Sequence, residues 1–168
     1  MGRDVAKDRT NPLHSMAASM ANFTYLVEYE PKKVFAVDPA WDTEGVLAYA
    51  KEKDLEITCA VFTHRHLDHT GGRVRVQKNN VTVPGLAELV EAGIPVRVGK
   101  DDVKATSEQT TVASDKIKAA KDGDEIVPGA RILHTPGHTP GSICVLLNEG
   151  EALITGVSAR SIVFPNIY

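Results

Sequence analysis

Within Thr63-His64-Arg65-His66-Leu67-Asp68-His69-Thr70-Gly71-Gly72, four side chains able to bind a metal stand almost side by side. They follow Ile57-Thr58-Cys59-Ala60-Val61-Phe62, a short continuous apolar run of the kind that forms a strand buried on both faces. In an extended segment leaving such a strand, residues i and i+2 point the same way. His64 and His66 therefore approach one cation together while Arg65 and Leu67 face elsewhere. A turn after His66 brings Asp68 and His69 toward a second, neighbouring position, and Gly71-Gly72 permits that tight path. Imidazole and carboxylate donors suit zinc, and also Fe or Mn, and the lack of cysteine in the loop argues against a closed thiolate site.

The rest of the chain reads as a mixed α/β layered domain. Phe23–Tyr29 and Lys33–Val37 form a hairpin around a Glu-Pro-Lys-Lys turn, being rich in β-branched and aromatic residues. Asp42 to Lys53 reads as a helix, with an N-cap candidate and an acidic first turn. Pro84 to Gly93 has the proline-start, glycine-end pattern of a short helix, and Ile94 to Val98 returns to strand. Lys100 to about Ser114 is weakly patterned and reads as loop with at most one helical turn. Lys116 to Ala120, Glu125 to Val127, Ala130 to Leu133, Ser142 to Leu147 and Ala152 to Thr155 are short strands between Gly, Pro and Asn turns, so the last third reads as a β meander.

At 168 residues the chain suits one domain. Residues 1–20 are polar and mixed in charge, and read as a disordered extension before a domain over 21–157, with a divergent tail over 158–168. His14 falls in that extension as a solvent-exposed bystander. The net charge of −3 with scattered Lys and Arg removes the basic footprint of a nucleic-acid binder. No apolar stretch approaches the roughly 20 residues needed to cross a bilayer. The N-terminus lacks a secretory h-region, and Asp4 and Asp8 argue against a mitochondrial leader. Ala6 stands where a myristoylation signal wants Ser or Thr. Cys59 and Cys144 each lie in an apolar run and read as core residues. These features favour a cytoplasmic protein, with a mitochondrial location as the alternative; oligomeric state is not legible.

A second histidine group, His134-Thr135-Pro136-Gly137-His138-Thr139-Pro140-Gly141-Ser142, sits at another strand end. One of its histidines can close the first metal shell, and spacing alone leaves both His134 and His138 open.

Taken together, His64-Arg65-His66-Leu67-Asp68-His69 resembles the HxHxDH signature of the metallo-β-lactamase superfamily, and the second group resembles its TPGHT(P/S)G motif. The Gly-Gly end, the ILHTPGHTPGS run, Asn22–Val27 and Val37-Asp38-Pro39 are most similar to glyoxalase II, the hydroxyacylglutathione hydrolases, over roughly Ala21 to Thr155. The resemblance implies an αββα sandwich, here incomplete, with the N-terminal half and part of the second sheet. It implies that His64, His66 and His138 hold a first metal and that Asp68 and His69 belong to a second, one or two zinc ions in all. His134 then becomes structural. Asp38 would support the metal loop by fixing an imidazole tautomer, or is an ordinary turn aspartate. The implied reaction is hydrolysis of a small-molecule glutathione thioester by metal-bound hydroxide, with Asp68 as the catalytic residue that orients it.

One part of the pattern is missing. The family carries Thr-Gly-Asp, with a bridging carboxylate, where this chain has Thr155-Gly156-Val157, and no Asp, Glu or His follows Val157. The family's further histidine and helical glutathione-binding region also have no counterpart, which suggests C-terminal truncation. A non-catalytic metal-binding fragment or pseudoenzyme is therefore the competing expectation, and another hydrolase of the same fold is a third.

Overall fold

A computed structural model describes residues 12–20, 22–76 and 79–157. Its frame is a five-stranded sheet. Strands β1 (Tyr25–Glu30) and β2 (Lys33–Val37) form the expected hairpin, and α2 (Thr43–Glu52) crosses over to β3 (Glu56–Phe62), which lies parallel to β2. The helix starts at Asp42, whose Oδ1 accepts the Gly45 backbone N–H at 3.0 Å, and it carries Glu44 in its first turn and Lys51 in its last, matching the dipole. Strands β6 (Val96–Gly99) and β7 (Ile117–Ala120) extend the sheet in parallel, giving the order β1-β2-β3-β6-β7.

The two faces of that sheet explain the unbroken apolar run before the histidine motif. Phe35, Val37, Cys59 and Val61 face a second sheet, packing on Ile132, Ile143 and Val145. Ala36, Ala60 and Phe62 face the helices instead, packing on Leu86 and Leu89 of α4 (Leu86–Glu91) and on Leu47 of α2. The second sheet is an antiparallel meander of β8 (Glu125–Val127), β9 (Ala130–His134), β10 (Ile143–Leu147) and β11 (Ala152–Ile154). The described residues thus form a helix layer and two sheets of the expected sandwich. No helix among them is long and apolar enough to cross a membrane.

Several elements differ from the sequence expectation. Residues 103–110, read as loop, form α5 (Val103–Thr110). Its buried face is made by Thr106 and Thr110, and the Thr110 hydroxyl donates to the Thr106 carbonyl at 2.8 Å, so an apolar period was absent although an inward face exists. Strand β7, grouped with the meander by its neighbours in sequence, belongs to the first sheet. Strands β4 (Gly72–Val76) and β5 (Asn79–Val83) form a separate two-stranded ribbon outside the expected strands. Pro12–Met20, placed in a disordered extension, forms α1, with proline at its first position, where no intrahelical N–H bond is lost, and with Ala17 and Ala18 favouring helix. Residues 1–11, the tail over 158–168 and the His14 side chain lie outside what is described.

Candidate metal centre

Strand β3 ends at Phe62 and delivers Thr63 and His64 into a bend, after which a single helical turn, α3 (Leu67–Thr70), carries Asp68 and His69. His66 stands at the cap of that turn with extended backbone, so His64 and His66 lie on one side as the i, i+2 spacing predicts. The turn after β9 brings His138 to the same point. Ring centroids lie 4.9 Å apart for His64–His66, 4.6 Å for His64–His138 and 4.5 Å for His66–His138. One ligand atom from each of the three lies within 4.8 Å of the others. His134 is not part of this group. Its Nε2 donates to the Pro140 carbonyl at 2.9 Å, which braces the turn that presents His138.

Asp38 organises the neighbouring half of the cluster. Its buried carboxylate accepts the Thr63 backbone N–H and hydroxyl, each at 2.7 Å, and the His69 Nδ1–H at 2.8 Å. Because the Thr63 hydroxyl donates to Asp38, it can only accept from His64 Nδ1, 3.1 Å away. That leaves the lone pair of His64 on Nε2, a buried atom with no hydrogen-bond partner. Asp38 thus sets the tautomer of His69 directly and of His64 through Thr63, more than an ordinary turn aspartate does. Replacing Asp38 by alanine strands these donors in a buried site and is expected to lower the unfolding free energy by about 3 kcal/mol or more. Urea denaturation of the metal-free chain measures this, and a loss below about 1 kcal/mol would mean the network relaxes without its hub.

Protonation separates the histidines into two classes. Burial, followed by the neighbouring His69, His66 and His138, lowers the His64 pKa to about 3. Burial, then His138 and Arg65, also lowers His66. Both are neutral at neutral pH, the form that binds a metal. At His69 burial also acts downward, but the carboxylates of Asp38 and Asp68 outweigh it and raise the pKa to about 9. His69 Nε2 lies 3.2 Å from Asp68 Oδ2, close enough for ion pairing though not aligned as a hydrogen bond. Burial acts upward on Asp68, yet His69 and Asn22 hold it well below the usual carboxylate range. Asn22 Nδ2 donates to both the Asp68 carboxylate (2.8 Å) and carbonyl (3.0 Å), a contact that no local pattern reveals.

A neutral, unpartnered imidazole nitrogen beside two further imidazoles is a donor set that fits one divalent transition metal. The strand end after β11 also returns here. A Cβ on Gly156 would meet the Thr63 hydroxyl at 2.6 Å, so Val157, 45% exposed, stands beside the metal loop. Its side chain offers no ligand atom. Asp102, also missed by sequence reasoning, is fully buried between the His64–His66 loop and the His138 turn.

The chain is 32% identical over 88% of its length to the hydroxyacylglutathione hydrolase of Rhodospirillum rubrum, of which it covers 51%. It is 33% identical over 79% of its length to the atrochrysone carboxyl ACP thioesterase of Aspergillus chevalieri, covering 38% of that protein. The chain thus spans about half or less of the length of these curated relatives. Among solved structures, TTHA1623 in a di-iron-bound form superposes with a TM-score of 0.59 at 24% identity, covering 77% of this chain and 64% of that one. The metallo-beta-lactamase superfamily profile matches residues 20–156, which contain both sheets, the motif loop and the His138 turn. With its signature residues gathered at the strand ends of a matching fold, the chain belongs to the metallo-beta-lactamase superfamily.

Proposed function

We propose that the chain is a metal-dependent thioester hydrolase of glyoxalase II type, acting on a glutathione thioester. The observation that carries this reading is the convergence of His64, His66 and His138 on one point, with His64 Nε2 buried and unpartnered. In this reading those three residues hold the first metal, zinc or iron, and Asp68 and His69 belong to a second position. The metal supplies a nucleophile at neutral pH and charge stabilisation for the thioester carbonyl. The chain's own contribution is positional. Asp68, kept ionised and held by Asn22, accepts a hydrogen bond from the attacking water and orients it. Thr63 and Asp38 keep the Nε2 lone pair of His64 directed at the cluster. The thiolate is a good leaving group, so positioning suffices without a strong general acid.

Support for thioester chemistry comes from relatives of two kinds, a hydroxyacylglutathione hydrolase and an acyl-carrier thioesterase. Val157 favours a second reading, a non-catalytic metal-binding relative, because the bridging carboxylate has no substitute at that strand end. Elemental analysis and hydrolysis of S-lactoylglutathione, beside a pantetheine thioester, decide between them. The catalytic reading expects about one zinc or iron per chain, hydrolysis of S-lactoylglutathione above the pantetheine ester, and loss of activity on chelation that added metal restores. Metal uptake without hydrolysis of either ester would leave the non-catalytic reading standing.

A further inference from the structure

The two loops that carry the histidines belong to different sheets, and their relative placement decides whether the triad can share one ion. Two ties connect them. The Ile143 backbone N–H donates to the Thr63 carbonyl at 2.8 Å, fixing the strand ends. The loops themselves are joined by a carboxylate from a third segment, Asp102, in the turn between β6 and α5. Asp102 is 0% exposed. Its Oδ2 accepts the Arg65 backbone N–H at 3.1 Å and the Thr139 hydroxyl at 2.5 Å, and its Oδ1 accepts the Gly141 backbone N–H at 3.0 Å. The Arg65 guanidinium, 3.7 Å away and partly exposed, is the nearby cation.

These donors have a particular distribution. Arg65 lies between His64 and His66, and Thr139 follows His138, so the carboxylate is bonded next to all three members of the triad. A buried carboxylate is costly unless its lone pairs are filled, and here they are filled only when both loops are in place. Glycine allows the approach: a Cβ on Gly141 would stand 2.6 Å from the Asp102 carboxylate carbon, and one on Gly99 would collide with the Gly141 carbonyl oxygen.

We propose that Asp102 is a positioning residue that presets the separation of the His64–His66 loop and the His138 turn, so that the three imidazoles converge before any metal arrives. This rests on the metal reading of the triad above. Preorganised ligands lose less freedom on binding, and outer partners of metal ligands typically govern affinity by about 10- to 100-fold.

The test uses the full chain as parent, Asp102→Asn, and Thr139→Val, which removes one donor and leaves the carboxylate. Zinc affinity is read by chelator competition, coordination geometry by the visible spectrum of the Co(II)-loaded chain, and stability by urea denaturation of the metal-free chain. Asp102→Asn places an amide opposite backbone donors. It is expected to weaken zinc about 10- to 100-fold and to alter the cobalt spectrum, with Thr139→Val changing both in the same direction by less. A residue with a merely structural role would lower the urea midpoint yet leave the affinity and cobalt spectrum of the folded chain at parental values. That result in either variant overturns the proposal. If Asp102→Asn does not fold, Thr139→Val alone decides by the same criteria. Failure of the parent to take up zinc or cobalt would remove the metal reading itself, an outcome distinct from parental binding that the variants leave untouched.

Discussion

Replacing His138 by alanine is expected to weaken zinc binding by about two orders of magnitude or more, while leaving the metal-free fold close to parental stability. The two halves of this expectation come from the same geometry. His138 is exposed on a turn held by other groups, the His134–Pro140 contact and the Thr139 and Gly141 bonds to Asp102, so its imidazole carries little of the packing. Its ring is nonetheless the one member of the candidate triad that comes from the second sheet. Structural zinc sites are worth about 10–16 kcal/mol over four ligands, so deleting one donor removes a few kcal/mol and the remaining pair cannot close a tetrahedral shell. The matched variant His134→Ala separates the two histidines of the turn. It loses a brace rather than a ligand, and its zinc affinity should fall far less than that of His138→Ala. Chelator competition on both variants measures the difference, and an equal loss in the two would contradict the assignment of His138.

That pair of histidines also marks where the sequence was legible and where it was not. The convergence of His64 and His66 could be read because the candidate ligands of the first loop are contiguous and the two-residue alternation of an extended segment assigns their directions. In the second group, spacing left His134 and His138 equivalent, and only resemblance chose His138; turn geometry sets His134 on the Pro140 carbonyl and His138 beside His64 and His66. Asp102, Asn22 and the Thr63 relay were invisible for a different reason. Each acts across a long stretch of chain, and an aspartate before a helix or an asparagine before a strand looks locally like a cap or a turn residue. Helix α5 escaped because threonines, not aliphatics, make its buried face. Strand β7 escaped because a short apolar strand carries no mark of the sheet it will join. The two-sided burial of β3, by contrast, was readable from its unbroken apolar run.

Converting Val157 to aspartate is expected to raise the zinc content from about one to about two per chain and to increase thioester hydrolysis by at least tenfold. In the metal-free chain His69 is raised to about 9, so at pH 7 it holds a proton on the side facing Asp68, where a second ion would bind. A metal must displace that proton, and with Val157 nearby Asp68 and His69 are the candidate donors at that position among the described residues. An aspartate at 157, on the strand end that abuts Thr63, adds the missing anionic donor. The sign of the pH effect follows. Since the His69 pKa is raised, its proton competes below about pH 9 and ceases to compete above it. Filling the triad releases little from His64, which is already neutral, whereas filling the second position at pH 7 releases about one proton, and this release fades as pH rises through the His69 pKa. Calorimetric titration of Val157→Asp with zinc in buffers of different ionisation enthalpy counts those protons. Two equivalents, with the His69 proton released at the second and that release fading as pH rises toward 9, support a half-built dinuclear centre, whereas a stoichiometry that stays at one would show that Val157 is not what limits the site.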